Sequence, residues 1–96
     1  MSRQKTEEVT PVINEILEIY ETNVIYIGQI VDDQKKKADI DAALTALSVA
    51  QQSLKDLQAI DRKCKEIGIV PEYDIDELLE THRKYAYELQ RMIGQH

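Results

Sequence analysis

The segment from residue 74 to residue 82, DIDELLETH, combines acidic side chains with a histidine. Such a group could bind a divalent metal or act as a general acid and base. An EF-hand calcium loop needs Gly at its sixth position and Glu at its twelfth, but counting from Asp74 gives Leu79 and Tyr85. A di-iron Glu-x-x-His motif also fails, because Leu79 stands three residues before His82. The sequence therefore predicts no metal ligand and no cofactor.

The same acids fit the start of a helix. Asp74 with Glu77 three residues later has the spacing of a capping box, and negative charge in the first turn interacts favourably with the helix dipole. A second D-I-D triplet begins at Asp39, again before an apolar run with helical periodicity. We expect helix caps at both places and no catalytic residue.

Glu15, Glu18 and Glu21 form two overlapping E-x-x-E spacings. This spacing resembles the metal-binding helices of all-α nucleotide pyrophosphohydrolases, and the resemblance implies a metal-dependent enzyme. Those enzymes also need an E-x-x-D on another helix, and this sequence has no such spacing. The three side chains also spread over the polar half of the helix, so we expect a solvated face.

Length and composition indicate one small domain over residues 1–96. Phe and Trp are absent, the net charge is −6, and Cys64 is the only cysteine. No apolar run approaches the about 20 residues that cross a bilayer. We expect a cytoplasmic protein that binds neither nucleic acid directly nor a membrane, because a net negative charge repels phosphate groups.

Apolar residues recur with helical periodicity in three segments. The predicted boundaries, with residues 1–9 as a flexible N-terminus, are about 11–36, 40–67 and 75–93. Thr10 and Pro11 fit a helix start, while Gly68 and Pro71 fit a helix end. The sequence predicts an all-α fold, an antiparallel up-down-up three-helix bundle. In a four-helix alternative the first helix breaks near Gly28.

Two polar side chains fall among the apolar ones. His82 lies in the middle of the apolar arc of the third helix, where we expect a buried histidine hydrogen-bonded to Asp61. The alternatives are a pH-sensitive or ligand-binding group, or an exposed histidine. Asn23 lies in the apolar arc of the first helix, either as a buried asparagine that fixes register or oligomeric state or as a rim residue.

The predicted third helix is the shortest, about 28 Å against about 39 Å and 42 Å for the first two at 1.5 Å per residue. It should therefore stop before the far end of the hairpin formed by the first two helices, which we call the hairpin tip. The apolar residues left there are the predicted partner-binding residues: Tyr26, Ile27, Ile30, Val31, Ile40, Ala43, Leu44 and Leu47.

An exposed apolar tip indicates a protein interface. We expect a non-enzymatic protein–protein interaction module, such as an adaptor, chaperone-like, immunity or regulatory protein. Its partner would be a second copy in a homodimer or a helix of another protein in a hetero-oligomer. The alternative function is an acidic inhibitor that mimics nucleic acid and occupies the basic nucleic-acid-binding surface of a partner, using the acids of the first helix and of residues 72–80.

Overall fold

The computed structural model describes the backbone of residues 3–95 and the side chains of residues 8–95. Within that range the chain forms three helices and no strand. They are α1 (Arg3–Lys36), α2 (Ile40–Ile67) and α3 (Ile75–Gly94). Every pair of helices is in contact, and α2 and α3 contact each other most extensively. The predicted three-helix bundle is confirmed.

The predicted N-caps of α2 and α3 are both present. Asp39 Oδ1 accepts a hydrogen bond from the Ala42 N–H at 3.1 Å, and Asp74 Oδ1 accepts one from the Glu77 N–H at 3.1 Å. Each bond satisfies a backbone donor that the first turn of a helix leaves without an intrahelical partner. Asp74, the first of the acids in residues 74–80, therefore has a structural role.

Gly68 ends α2 as the sequence predicts. Its φ of 76° is in the left-handed region, which glycine adopts without steric cost. The next residue turns back onto the bundle: the Ile69 N–H donates to the Cys64 carbonyl at 2.8 Å, and the Ile69 side chain is buried. This pairing closes the last turn and directs the chain towards α3.

Helix α1 begins earlier than predicted, at Arg3 and not at Pro11. Residues 3–9, expected to be flexible, are helical, and Thr10 lies inside the helix instead of capping it. Residues 1 and 2 lie outside the described residues. The φ of proline is compatible with a helix, so Pro11 removes one backbone hydrogen bond without ending α1. Val9 packs against the core on the N-terminal side of Pro11, which gives the first turns an apolar contact.

Helix α1 is also continuous through Gly28, so the four-helix alternative is wrong. The glycine has a packing role. A Cβ atom at position 28 would lie 3.0 Å from Tyr85 Oη, because the Tyr85 side chain of α3 crosses α1 at this point. The missing side chain therefore leaves room for the Tyr85 ring against α1.

The core consists of two clusters along the bundle. The turn-end cluster lies near the α2–α3 turn, and its buried residues are Ile13, Leu17, Leu57, Cys64, Ile69, Ile75, Leu78 and Leu79. The tip cluster lies towards the α1–α2 turn, and its buried residues are Ile27, Val31, Ala43, Ala46, Ala50, Ala86 and Leu89. The first is built mainly from large aliphatic side chains, whereas the second contains four alanines.

Candidate protein interface

The structure closes most of the hairpin tip. Ile27, Val31 and Ala43 are buried in the tip cluster, so the expectation that they are exposed is wrong. Three further predicted residues are half-buried: Ile30, Ile40 and Leu47. Of the predicted set, only Tyr26 and Leu44 are exposed.

The tip is closed because α2 contributes small side chains there. These are Ala43, Ala46 and Ala50, all of them buried. Small residues allow neighbouring helices to approach closely, so little apolar surface remains to be covered. Leu89 of α3 fills the space together with the partly buried Met92 and Ile93. Helix length alone predicted an open tip, but the small side chains of α2 and the last residues of α3 pack together there.

An exposed apolar surface lies instead along α1. We call it the outer row, and it consists of the exposed Val12, Ile16, Ile19 and Tyr26 together with the half-buried Asn23 and Ile30. The spacing alternates between four and three residues, which is the heptad spacing of a helix that packs against another helix. From Val12 to Tyr26, its apolar members are between 37% and 58% exposed. The outer row is therefore an apolar stripe with the spacing of a helix interface, and none of the described residues covers it fully.

The core-facing side of α1 carries a second row with the same spacing. Its members are Ile13, Leu17, Tyr20, Val24, Ile27 and Val31. Each stands one residue after a member of the outer row, which places it about 100° further round the helix. Helix α1 thus has two adjacent apolar rows, and α2 and α3 bury only one of them.

Two polar contacts fix α1 against α2 beside the outer row. Asn23 Nδ2 donates to Ser53 Oγ at 3.2 Å, and Tyr20 Oη donates to Asp56 Oδ2 at 3.0 Å. Gln52 Nε2 donates to the other oxygen of Asp56 at 3.0 Å. Asn23 is half-buried and pairs with α2, so it helps to set the register of the two helices.

The Tyr20 phenol acts as a permanent donor in this contact. Burial raises the pKa of Tyr20 to about 12, and the hydrogen bond to Asp56 and the charge of that carboxylate act in the same direction. The phenol therefore keeps its proton throughout the neutral range. The contact orients α1, and it provides no acid or base for chemistry near pH 7.

His82 is fully buried, as predicted, but its partner is different. Its Nδ1 atom lies 2.7 Å from the Leu78 carbonyl one turn earlier and donates to it, whereas Asp61 pairs with Lys65 at 2.9 Å. An i to i−4 carbonyl is close to any helical side chain, so this local bond replaces the predicted one. Nε2 has no hydrogen-bond partner among the described residues. Desolvation lowers the pKa of His82, partly opposed by the Leu78 bond and the charge of Glu21.

The described residues contain no group of three or more His, Cys, Asp or Glu side chains placed to hold a metal ion. Cys64 is buried, and burial followed by the charge of Asp61 raises the pKa of its thiol. A thiol with a raised pKa forms little thiolate, so it is a poor nucleophile.

An acidic groove lies between α1 and the start of α3. It is lined by Glu21, Glu72, Asp74 and Glu77 together with apolar Val24 and Leu78. Tyr73 also lines it, and desolvation followed by the charges of Glu18, Glu21 and Glu72 raises the pKa of this tyrosine. The acids therefore produce a negative potential at this end of the molecule, opposite in character to the apolar outer row.

Comparisons with protein families, curated proteins and solved structures give no match for this chain. None of the helices within residues 3–95 is long and apolar enough to cross a membrane. Function is therefore inferred from the surfaces that the three helices present.

The outer row was visible in the sequence as an apolar arc of unusual width. Apolar residues cover about half of the α1 wheel, more than one side of a three-helix bundle can bury. Val12, Ile16 and Ile19 belong to this arc, and periodicity alone does not separate its buried part from its exposed part. Dividing the arc into two heptad rows would have separated the core row from the outer row.

Proposed function

We propose that this chain is a helical protein–protein interaction module that binds another helix through the outer row of α1. The observation that supports the proposal is a line of exposed apolar side chains at heptad spacing, running from Val12 to Tyr26. Contiguous apolar surface of a few hundred Å² is the size that marks interfaces on small proteins. The proposed interface thus moves from the hairpin tip to α1, and Tyr26 and Ile30 belong to both predictions.

The helix offers a matched pair of positions for a test. Ile19 in the outer row is 58% exposed, and Ile25 on another face of α1 is 59% exposed. Ile19→Asp and Ile25→Asp therefore introduce the same charge at positions of equal exposure. We expect both variants to retain wild-type helicity and thermal stability by circular dichroism.

The immobilised chain is then used to capture proteins from a native extract. Wild type and Ile25→Asp should retain the same proteins, and Ile19→Asp should lose them. Equal capture by all three chains would contradict a role for the outer row. Loss of capture in Ile25→Asp alone would place the interface on another face of α1.

The acidic groove supports a second candidate function, an acidic inhibitor that occupies a basic nucleic-acid-binding surface. The supporting observation is the set of carboxylates around Tyr73, whose charges favour a cationic partner. For this function, capture should fall steeply with added salt and be lost in Glu21→Lys combined with Glu72→Lys. Capture that resists salt and needs Ile19 would exclude it.

A further inference from the structure

The edge of the outer row that faces away from α2 carries acidic side chains. Glu15 stands three residues after Val12 and four before Ile19, so it lies beside both on the helix surface. Glu8 stands four residues before Val12 and extends the same edge, and both glutamates are exposed. Between residues 8 and 33 the sequence of α1 contains no Lys or Arg. Over the length of the row, this edge is therefore negatively charged.

The other edge of the row borders a groove shared with α2. Ile19 lines this groove from α1, and Val49, Gln52 and Asp56 line it from α2. The hydrogen bonds that the Asp56 carboxylate accepts come from Tyr20 and Gln52, which are uncharged donors and leave its charge unneutralised. Among the described residues, no Lys or Arg lines the groove. The row thus has carboxylates along both of its edges.

These charges distinguish between possible occupants of the row. A helix that lies along it meets carboxylates on both sides of its own apolar stripe, so cations at the flanking positions are attracted and anions are repelled. A second copy of α1 supplies no such cation when the two rows overlap fully. In the antiparallel arrangement Glu15 is level with Ile27 of the other copy, and in the parallel arrangement it is level with the same glutamate.

We propose that the outer row binds a basic amphipathic helix of another protein, with Lys or Arg flanking its apolar face near Glu15 and Asp56. This inference rests on the proposed function, in which the row binds a helix, and it names the class of partner. It differs from the acidic inhibitor in where the cations bind. The basic helix packs on the apolar side chains of α1, and the basic surface of the second candidate would cover the acidic groove around Tyr73.

Three synthetic helical peptides test the charge of the partner. Each is about three heptads long with the same leucine face, and the flanking positions carry Lys in one, Gln in the second and Glu in the third. Fluorescence anisotropy measures their binding to the full chain. We expect a Kd for the Lys peptide at least about tenfold below that of the Glu peptide at low salt, and a smaller ratio at high salt. Equal affinities, or tighter binding of the Glu peptide, would overturn the proposal.

Two charge reversals of equal net charge show where the Lys peptide binds. Glu15→Lys changes the edge of the row, whereas Glu21→Lys changes an exposed residue of α1 that borders the acidic groove. Glu15→Lys should raise the Kd of the Lys peptide about threefold or more, and Glu21→Lys should change it less than about twofold. Loss of binding in Glu21→Lys alone would place the peptide in the acidic groove and overturn the proposal.

Substitutions in the row itself test the apolar part of the contact. Ile19→Asp should raise the Kd of the Lys peptide at least about tenfold, and Ile25→Asp should leave it unchanged. Ile16→Asp is a second variant of the row and should act as Ile19→Asp does. Binding that is unchanged in both row variants would show attraction by charge alone and overturn the proposal.

The outcomes separate this inference from the proposed function. Ile19-dependent binding of the Glu or Gln peptide as tight as that of the Lys peptide would overturn the basic partner and leave the interaction module intact. Ile19-dependent binding of labelled chain to unlabelled chain, tighter than that of the Lys peptide, would identify a second copy as the occupant and do the same. A Lys peptide that fails to bind up to about 1 mM overturns this inference. Equal capture from an extract by wild type and Ile19→Asp would then overturn the proposed function as well.

Discussion

The two ends of the core are packed with side chains of different size. At the turn end, α2 contributes Leu57 and Cys64 to a cluster of large aliphatic residues. At the tip, α2 contributes only alanines to the buried cluster, and its other buried members come from α1 and α3. The comparison teaches that helix length does not decide which apolar surface is exposed. The size of the buried side chains also matters, and α2 contributes only small ones at the tip.

The largest effect is expected when the turn end loses a large side chain. Leu57→Ala removes a fully buried leucine and leaves a cavity, which should lower the free energy of unfolding by about 2–5 kcal/mol. Urea denaturation followed by circular dichroism measures it. A loss of less than about 1 kcal/mol would mean that the site collapses and that the turn end does not depend on large side chains.

The stability of the tip should depend on the opposite change, from a small to a large side chain. Ala46 is fully buried among the close helices, so Ala46→Leu overfills the space and should cost about 1–3 kcal/mol. The same urea titration applies, with Ala59→Leu at an exposed position of α2 as the control expected near zero. If Ala46→Leu is neutral or stabilising, the tip is not closely packed.

A smaller effect is expected at the N-caps, and the loss of stability should be the same at the two ends of the core. Asp39→Ala at the tip and Asp74→Ala at the turn end each remove one side-chain bond to a helix N-terminus. Each should lower stability by about 1 kcal/mol. Thermal unfolding at neutral pH checks the pair. A loss several times larger at one end would show that its turn carries tertiary contacts beyond the cap.

The smallest effect is a pH dependence from His82 on α3. Its pKa is lowered in the folded state from the ordinary 6.5, so below pH 6.5 the unfolded chain binds more protons. Stability should therefore fall as the pH drops from 6.5 towards the lowered pKa and should not change above 6.5 on this account. His82→Leu should flatten this part of a urea-midpoint profile between pH 7 and pH 5. An unchanged slope in the variant would assign the pH dependence to other groups.

The sequence was informative where short-range chemistry decides the structure. Asp39 and Asp74 predicted where α2 and α3 begin, and Gly68 predicted where α2 ends, because capping depends on a few neighbouring residues. Pro11 led to a wrong prediction of where α1 begins. Proline is tolerated inside a helix when packing on its N-terminal side compensates for the lost hydrogen bond. The His82 partner was misassigned because the main-chain carbonyl of Leu78, one turn earlier on the same helix, accepts its hydrogen bond.

The candidate site was harder to predict because it depends on distances between helices. Ile27 and Leu44 both belong to apolar arcs, yet one is fully buried and the other is 48% exposed. That difference depends on which neighbouring side chains pack against each residue, and periodicity within one helix does not reveal this. The outer row is exposed for the complementary reason, since its α1 arc is wider than the two neighbouring helices can cover.

The most direct test of the account compares the outer row with the remaining exposed apolar residue of the tip. A photo-crosslinking amino acid is placed at Ile19 in one sample and at Leu44 in another, and each is irradiated at high protein concentration and in a native extract. The account predicts covalent protein adducts from position 19 and none from position 44. Adducts from position 44 with none from position 19 would contradict the central claim that α1 carries the interface.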